Sequence, residues 1–177
     1  MASQTPENVW DYPRPPALEK TPLRLRIVWT DEGQESVLAD TTSGFRVLET
    51  SHPPTYYIPP KDVNTEWLTK SPRSSFCEWK GQATYYNLQP PTSSQPLVKD
   101  RIWTYPNPTP RFVNIKDYLS FYAASSSSNS RSEKGKGQWK CFVGEEEVAP
   151  QEGDFYGGWK TSWVQGKMKG GPGTWGW

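Results

Sequence analysis

The sequence predicts a mainly β domain built from antiparallel strands, and three observations carry that expectation. The 177 residues include 14 Gly and 18 Pro, a density of breakers that excludes helical bundles, coiled coils and helical repeats. Short runs alternate apolar and polar residues at period two and are separated by turn residues. Leu, Ile, Val and Phe together make only 29 residues, about 16% of the chain, a fraction that goes with disorder when net charge is high. Here the formal net charge is +1, and 10 Trp and 9 Tyr replace the missing aliphatic mass with rings that bury large areas. The expected core is therefore aromatic.

Residues 1–22 hold Pro6, Pro13, Pro15, Pro16 and Pro22 and read as an extended arm, fixed to the body through Trp10 and Tyr12. The first strand runs from Leu23 to Trp29, with Leu23, Leu25, Ile27 and Trp29 on one face. Asp31-Glu32-Gly33 turns the chain into a second strand at 36–40. Thr42-Ser43-Gly44 then leads to a third at 45–50. Connections this short predict an antiparallel meander. Ser51-His52-Pro53-Pro54 ends the ladder before a short extended piece, Thr55 to Ile58. Asp62 is placed to cap a helical turn with Val63 and Trp67 on one side. Ser71 to Ser75 reads as loop, Lys80 to Leu88 as a strand, and Leu97 to Tyr105 as its hairpin partner. After Pro106, Pro108 and Pro110, Asn114 and Asp117 resemble a capping box for a helix from Ile115 to about Tyr122.

Residues 123–138 are low in complexity and rich in Ser, Gly and Lys, which predicts a mobile loop inside the domain. A strand resumes at Trp139 to Val143. The last 27 residues, Gln151 to Trp177, contain eight Gly and four Trp and read as a segment that wraps the body. The expected organisation is an arm at 1–22, a single β domain at 23–150 and the wrapping segment at 151–177. The rings of Phe155, Tyr156 and Trp159 suit either a lid over a site or anchors in the body.

No stretch of 18 apolar residues occurs, so no membrane-spanning helix is expected. Met1 to Tyr12 has no basic start followed by an apolar run, and a cytoplasmic protein with free thiols at Cys77 and Cys141 is expected. A pI near 7.7 argues against a dedicated nucleic-acid binder. Three Cys and His residues in all fall short of a structural zinc site. The glycine-rich phrases at Gly153 to Gly158 and Gly166 to Gly173 are not followed by the helix that a phosphate loop requires. No metal and no cofactor is expected.

The residues that carry chemistry cluster around the one histidine. His52 sits at a strand end beside Glu49 and suits proton transfer near neutral pH; its alternative is a ring held by backbone at a proline turn. Cys77 stands three residues from Lys80, a cation able to activate a thiol, although free cysteine is equally at home as a small buried hydrophobe. Lys80 and Arg46 are placed to hold a carboxylate or phosphate. Phe45, Tyr85, Trp103 and Tyr105 are predicted to line one concave surface, which would suit a planar ring, a cation or an unstacked base.

Four phrases occur in order: Val47 to Pro59 (VLETSHPPTYYIP), Cys77 to Tyr86 (CEWKGQATYY), Trp103 to Pro108 (WTYPNP) and Tyr118 to Tyr122 (YLSFY). Together they resemble domain-of-unknown-function family 427, sometimes labelled a nucleotidyltransferase domain, over about residues 24–148. The phrase Pro150 to Trp159 resembles an extension seen in some members, including fungal ones. The resemblance implies a compact β fold like the β-tent group, which includes the B-type methionine sulfoxide reductases and the drug-binding domain of cereblon. With the elements read above, the expected fold is a compact antiparallel β-tent-like domain of two sheets with one short helix and a helical turn. The zinc cysteines of those proteins are absent here, as are the paired acidic metal ligands of a nucleotidyltransferase. What carries over is a ring-lined pocket, with Tyr57, Trp79, Tyr85, Trp103 and Tyr105 as its candidates.

The sequence thus predicts a monomer or homodimer that binds a small organic ligand through Arg46, Tyr57, Cys77, Trp79, Tyr85, Trp103 and Tyr105. His52, Glu49 and Lys80 would serve any cofactor-free proton transfer. Two alternatives remain: a module that recognises a protein or peptide, and a redox or nucleophilic enzyme acting through Cys77.

Overall fold

The structure is a computed structural model, and it describes residues 4–92, 94–126 and 137–177. Most of the expected mobile loop, 127–136, lies outside the described residues. The fold is mainly β, as predicted. Its strands form several small sheets where two were expected.

The N-terminal residues contribute β1 (Glu7–Asn8), a 3-10 turn (Val9–Asp11) and β2 (Ala17–Lys20). Then come β3 (Leu25–Asp31), β4 (Gln34–Thr41), β5 (Phe45–Leu48) and β6 (Thr55–Tyr57). Two 3-10 turns, Pro60–Asp62 and Thr65–Trp67, stand where one helical turn was expected. They lead to β7 (Leu68–Cys77), β8 (Gly81–Leu88) and β9 (Val98–Thr104). After a 3-10 segment (Pro110–Ile115) the chain forms β10 (Leu119–Phe121), β11 (Gln138–Val143), β12 (Glu146–Glu147), β13 (Ala149–Pro150), β14 (Trp159–Lys160) and β15 (Val164–Gln165). Two four-stranded antiparallel sheets, in the orders β12-β11-β3-β4 and β10-β9-β8-β7, dominate; β2-β5-β6 makes a third. Reciprocal backbone hydrogen bonds of 2.8 Å between Ile58 and Leu119 join the third sheet to β10.

Alternation on the central strands divides the interior in two. Leu88 and Ile102 point into a cluster with Leu25, Ile27 and Trp29 of β3 and Trp139, Cys141 and Val143 of β11. Ala83, Tyr85, Trp103 and Tyr105 point the other way and meet Val47, Tyr57, Phe112 and Ile115. The first cluster holds most of the aliphatic side chains and the second is largely rings.

Four sequence expectations are corrected. The meander ends at β4, because β5 leaves that sheet and pairs with β2 and β6. Residues 17–20, read as part of the arm, supply the partner that makes this possible. Ser71 to Ser75 is not loop but part of β7, where a register shift between Lys70 and Ser74 accommodates Pro72. Ser71 Oγ donates to the Asp100 carboxylate and accepts from the Arg73 amide at 3.1 Å.

The helix expected at Ile115 to Tyr122 is also absent. Asp117 takes φ +63°, which ends a right-handed helix, and the residues after it pair with β9 as β10. The apparent helical stripe is split, with Ile115 in the second cluster and Leu119 in the first.

Trp159 ties the C-terminal segment into the first cluster. It is fully buried, its Nε1 donates to the Phe121 carbonyl at 2.8 Å, and its ring lies 5.1 Å from that of Tyr56. Trp159→Ala is expected to lower the unfolding free energy by about 3–5 kcal/mol. Trp159→Phe is expected to cost less, on the order of 1–3 kcal/mol, chiefly from the unpaired carbonyl. Urea unfolding of the two variants measures both.

Candidate functional site

The second cluster opens to solvent at one end as a cleft of about 340 Å³. β5 and the turn after it bring Val47, Glu49 and His52. The end of β7 brings Arg73, Ser75, Phe76 and Cys77, and Lys80 follows in the turn to β8. Tyr85, Trp103 and Tyr105 form the floor, and Tyr122, Gln151 and Phe155 to Gly157 form the opposite wall. A roomier concavity of about 510 Å³ lies beside Glu152 to Asp154 and Gly170 to Pro172, but no aromatic ring among the described residues lines it.

Both ends of the described chain hold the turn that carries His52. Thr50 N donates to Pro13 O at 3.4 Å, Ser51 N to Val9 O at 3.0 Å, and Lys169 N to Ser51 O at 2.8 Å. Ser51 is buried and takes φ +70°, an unusual conformation for a residue with a Cβ, so these neighbours fix a backbone that would not form by itself.

His52 has both ring nitrogens engaged. The Gln151 amide nitrogen donates to Nδ1 at 3.0 Å and to the Lys169 carbonyl at 2.7 Å. The imidazole proton is then on Nε2, which faces Glu49 Oε2 at 3.2 Å. The ring also packs edge-on against Tyr156 at 4.7 Å. Burial, then the Lys169 ammonium, with Lys80 and Arg14 adding, hold the imidazole pKa down to about 4 against the opposing effect of Gln151. His52 is neutral at pH 7 and orients the Glu49 carboxylate, which lines the cleft.

Lys80 is half-buried, and its Nζ stands 5.6 Å from the centre of the Tyr105 ring. It forms no ion pair among the described residues. Burial draws its pKa down, but Tyr57, Cys77 and Glu49 more than offset that, and the group is an ammonium above the ordinary lysine value. Burial, followed by Tyr57, raises the Tyr105 phenol well above its usual pKa, so it keeps its proton. Tyr85 Oη and Ser75 Oγ share a hydrogen bond of 2.8 Å, and the Arg73 guanidinium lies 4.7 Å over the Tyr85 ring. Trp103 Nε1 donates to the Tyr57 hydroxyl at 3.3 Å. These contacts lock the rings before any ligand arrives.

Of the residues nominated from sequence, His52, Glu49, Lys80, Cys77, Tyr85, Trp103 and Tyr105 come together in the cleft. Three do not. Arg46 is held on another face by the Glu7 carboxylate, at 2.7 and 2.9 Å, and by Glu19 at 3.0 Å; Glu19 is its cross-strand partner on β2. Tyr57 is wholly buried beneath the floor. Trp79 packs against the second cluster away from the opening. Phe45, expected on the same concave surface, also packs there, against Tyr118. Of the two thiols, Cys77 is half-buried in the cleft and Cys141 is fully buried, with burial raising its pKa.

Sequence reasoning missed Arg73 and Ser75 because their strand read as loop. It also missed Gln151, which carries no local signal. The aromatic pair Phe155-Tyr156 was visible as a possible lid, and the structure places it in the cleft wall.

A family model described as a domain of unknown function (DUF427) matches residues 17–131, well over half of the chain. The chain belongs to this family. No curated protein matches it. The DUF427 match contains the floor of the cleft and the His52 turn, whereas Gln151 and Phe155 to Gly157 lie beyond it. Gly157 rests directly on the Trp103 indole, where a Cβ would stand 2.4 Å from Cη2, so only glycine lets the wall approach this closely.

The buried neutral His52 has a consequence for stability. The folded chain binds the imidazole proton less readily than the unfolded chain, whose histidine titrates near 6.5. The stability that this residue contributes is complete above about pH 6.5 and is lost progressively as pH falls from there to about 4, by on the order of 2–3 kcal/mol. Urea unfolding of wild type and His52→Gln across pH 4–7 is expected to show a gap between the two proteins that narrows by this amount on the acid side.

Proposed function

We propose that the chain binds a small organic molecule in this cleft. The observation that carries the reading is the convergence of three ring-bearing floor residues, Tyr85, Trp103 and Tyr105, with the Lys80 ammonium, which has no ion-pair partner among the described residues, around one opening of about 340 Å³. That volume falls in the range of small-molecule sites, which are mostly apolar with a few convergent polar groups.

The same opening supports a catalytic form of the reading: cofactor-free proton transfer. Glu49 is the group suited to carry the proton, because its carboxylate faces the cleft. His52, the residue favoured by sequence, has both nitrogens committed and acts as a positioning residue. A second reading, recognition of a peptide, draws on Phe76 and Phe155, which are 78% and 71% exposed at the cleft.

Thermal unfolding against panels of metabolites, nucleotides and peptides, paired with the alkylation rate of Cys77, tests the proposal. A cleft ligand at about 100 times its Kd is expected to add about 2.7 kcal/mol of stability and to slow alkylation of Cys77 by iodoacetamide. Ligands that raise the melting temperature while leaving Cys77 equally reactive bind elsewhere and count against the reading. Protection by peptides alone, lost in Phe76→Ala and Phe155→Ala, selects the second reading.

A further inference from the structure

The charges in the cleft are unequal. Its lining holds Lys80, Arg73 and Glu49, with His52 neutral, which leaves one positive charge in excess. Glu49 already accepts the His52 N–H. Arg73 lies over the Tyr85 ring at the exposed side. Lys80 is the cation whose position asks most of its surroundings, because a half-buried ammonium loses hydration unless an anion or hydrogen-bond acceptors replace it. Tyr105 offers it a ring face, and the Tyr57 hydroxyl and the Glu49 charge lie near enough to favour it, but no carboxylate among the described residues pairs with it. Much of the rest of the opening is ring surface, including Tyr85, Trp103 and Tyr122, with Ser75, Thr55 and Gln151 adding polar groups; Trp103 and Tyr122 are held edge to face at 5.4 Å.

We infer that the cleft takes a planar organic anion of single charge, an aromatic carboxylate or a phenolate or enolate, with Lys80 as its counter-ion. The inference rests on the small-molecule reading above and gives that reading its ligand class. The ring walls favour a flat body through stacking and edge contacts. Lys80 at the floor and Arg73 at the rim, less the charge of Glu49, leave a single positive charge to match one negative charge, whereas a nucleoside triphosphate brings more charge than the lining offsets. The anion completes the hydrogen bonding of Lys80 in a partly dehydrated site, where a charge-assisted contact is worth more than in water.

The test uses a matched pair of probes, 2-naphthoate and the neutral 2-naphthalenemethanol, with binding read by calorimetry and by protection of Cys77 from alkylation. Wild type is expected to bind naphthoate at least tenfold more tightly than the alcohol, with a preference that shrinks as NaCl is added. Lys80→Met, which keeps the apolar stem, is expected to bring naphthoate down to the level of the alcohol and leave the alcohol unchanged; Lys80→Arg is expected to retain the preference. Equal binding of the two probes by wild type overturns the ligand class while leaving the small-molecule reading in place. A preference that survives in Lys80→Met and vanishes in Arg73→Met overturns the assignment to Lys80. Failure of both probes to bind or to protect Cys77 counts against the small-molecule reading itself, and the anion inference falls with it. The salt dependence of wild type decides the matter should Lys80→Met fail to fold.

Discussion

The structure depends on how β8 and β9 distribute their side chains. Tyr86 and Ile102 pair across these strands, as do Tyr85 and Trp103, and alternation sends the two pairs to opposite faces. One face joins the aliphatic cluster shared by both four-stranded sheets. The other builds the ring cluster whose open end is the cleft. A register slip of one residue would exchange the two faces and remove core and site together. The chain has few aliphatic residues, and it places most of them on the side that must exclude water completely. The side that can stay open is made from Tyr and Trp, whose polar atoms tolerate an edge near solvent.

A second layer of organisation fixes the polar groups around those rings. The Glu49 to Pro54 turn contains no regular structure, yet the N-terminal residues bond to it from one side and the C-terminal segment from the other. Trp159 N adds a bond to Pro54 O at 2.8 Å. The result is a buried imidazole with a single tautomer and a carboxylate whose direction is set by it. The cost is a histidine that resists protonation, which makes this corner of the protein a contributor to acid sensitivity.

The sequence was most informative where period-two alternation was strong. β3, β4, β8, β9 and β11 stand close to their predicted positions because each has one face in a core. It was least informative where pairing is non-local. Nothing near Phe45 indicates that its strand pairs with Ala17–Lys20, and a stripe of Ile115, Leu119 and Tyr122 fits a helix as well as it fits a turn followed by a strand. The same limit applies to the site. His52, Lys80 and the floor rings were readable from their residue types near strand ends. Arg46 misled because its partners Glu7 and Glu19 lie far away in sequence. Gln151 was invisible because its role exists only through contacts with His52 and Lys169.

The floor and the Phe155 to Gly157 wall of the cleft are anchored by different parts of the chain and meet at Trp103 and Tyr122. Lys80, Tyr85, Trp103 and Tyr105 are set by the β7–β9 sheet, inside the DUF427 match. The wall at Phe155 to Gly157 is suspended between Gln151, which is held at His52 and the Lys169 carbonyl, and Trp159, which is held in the first cluster. A side-chain change at Phe155 leaves both anchors in place, so it alters the shape of the opening without disturbing Lys80 beneath. A change at Lys80 does the reverse. In the proposed binding mode charge selection belongs to the floor and shape selection to the wall. Gly157 is a point where the two meet, because a side chain there would displace either the wall or the Trp103 indole against which it rests.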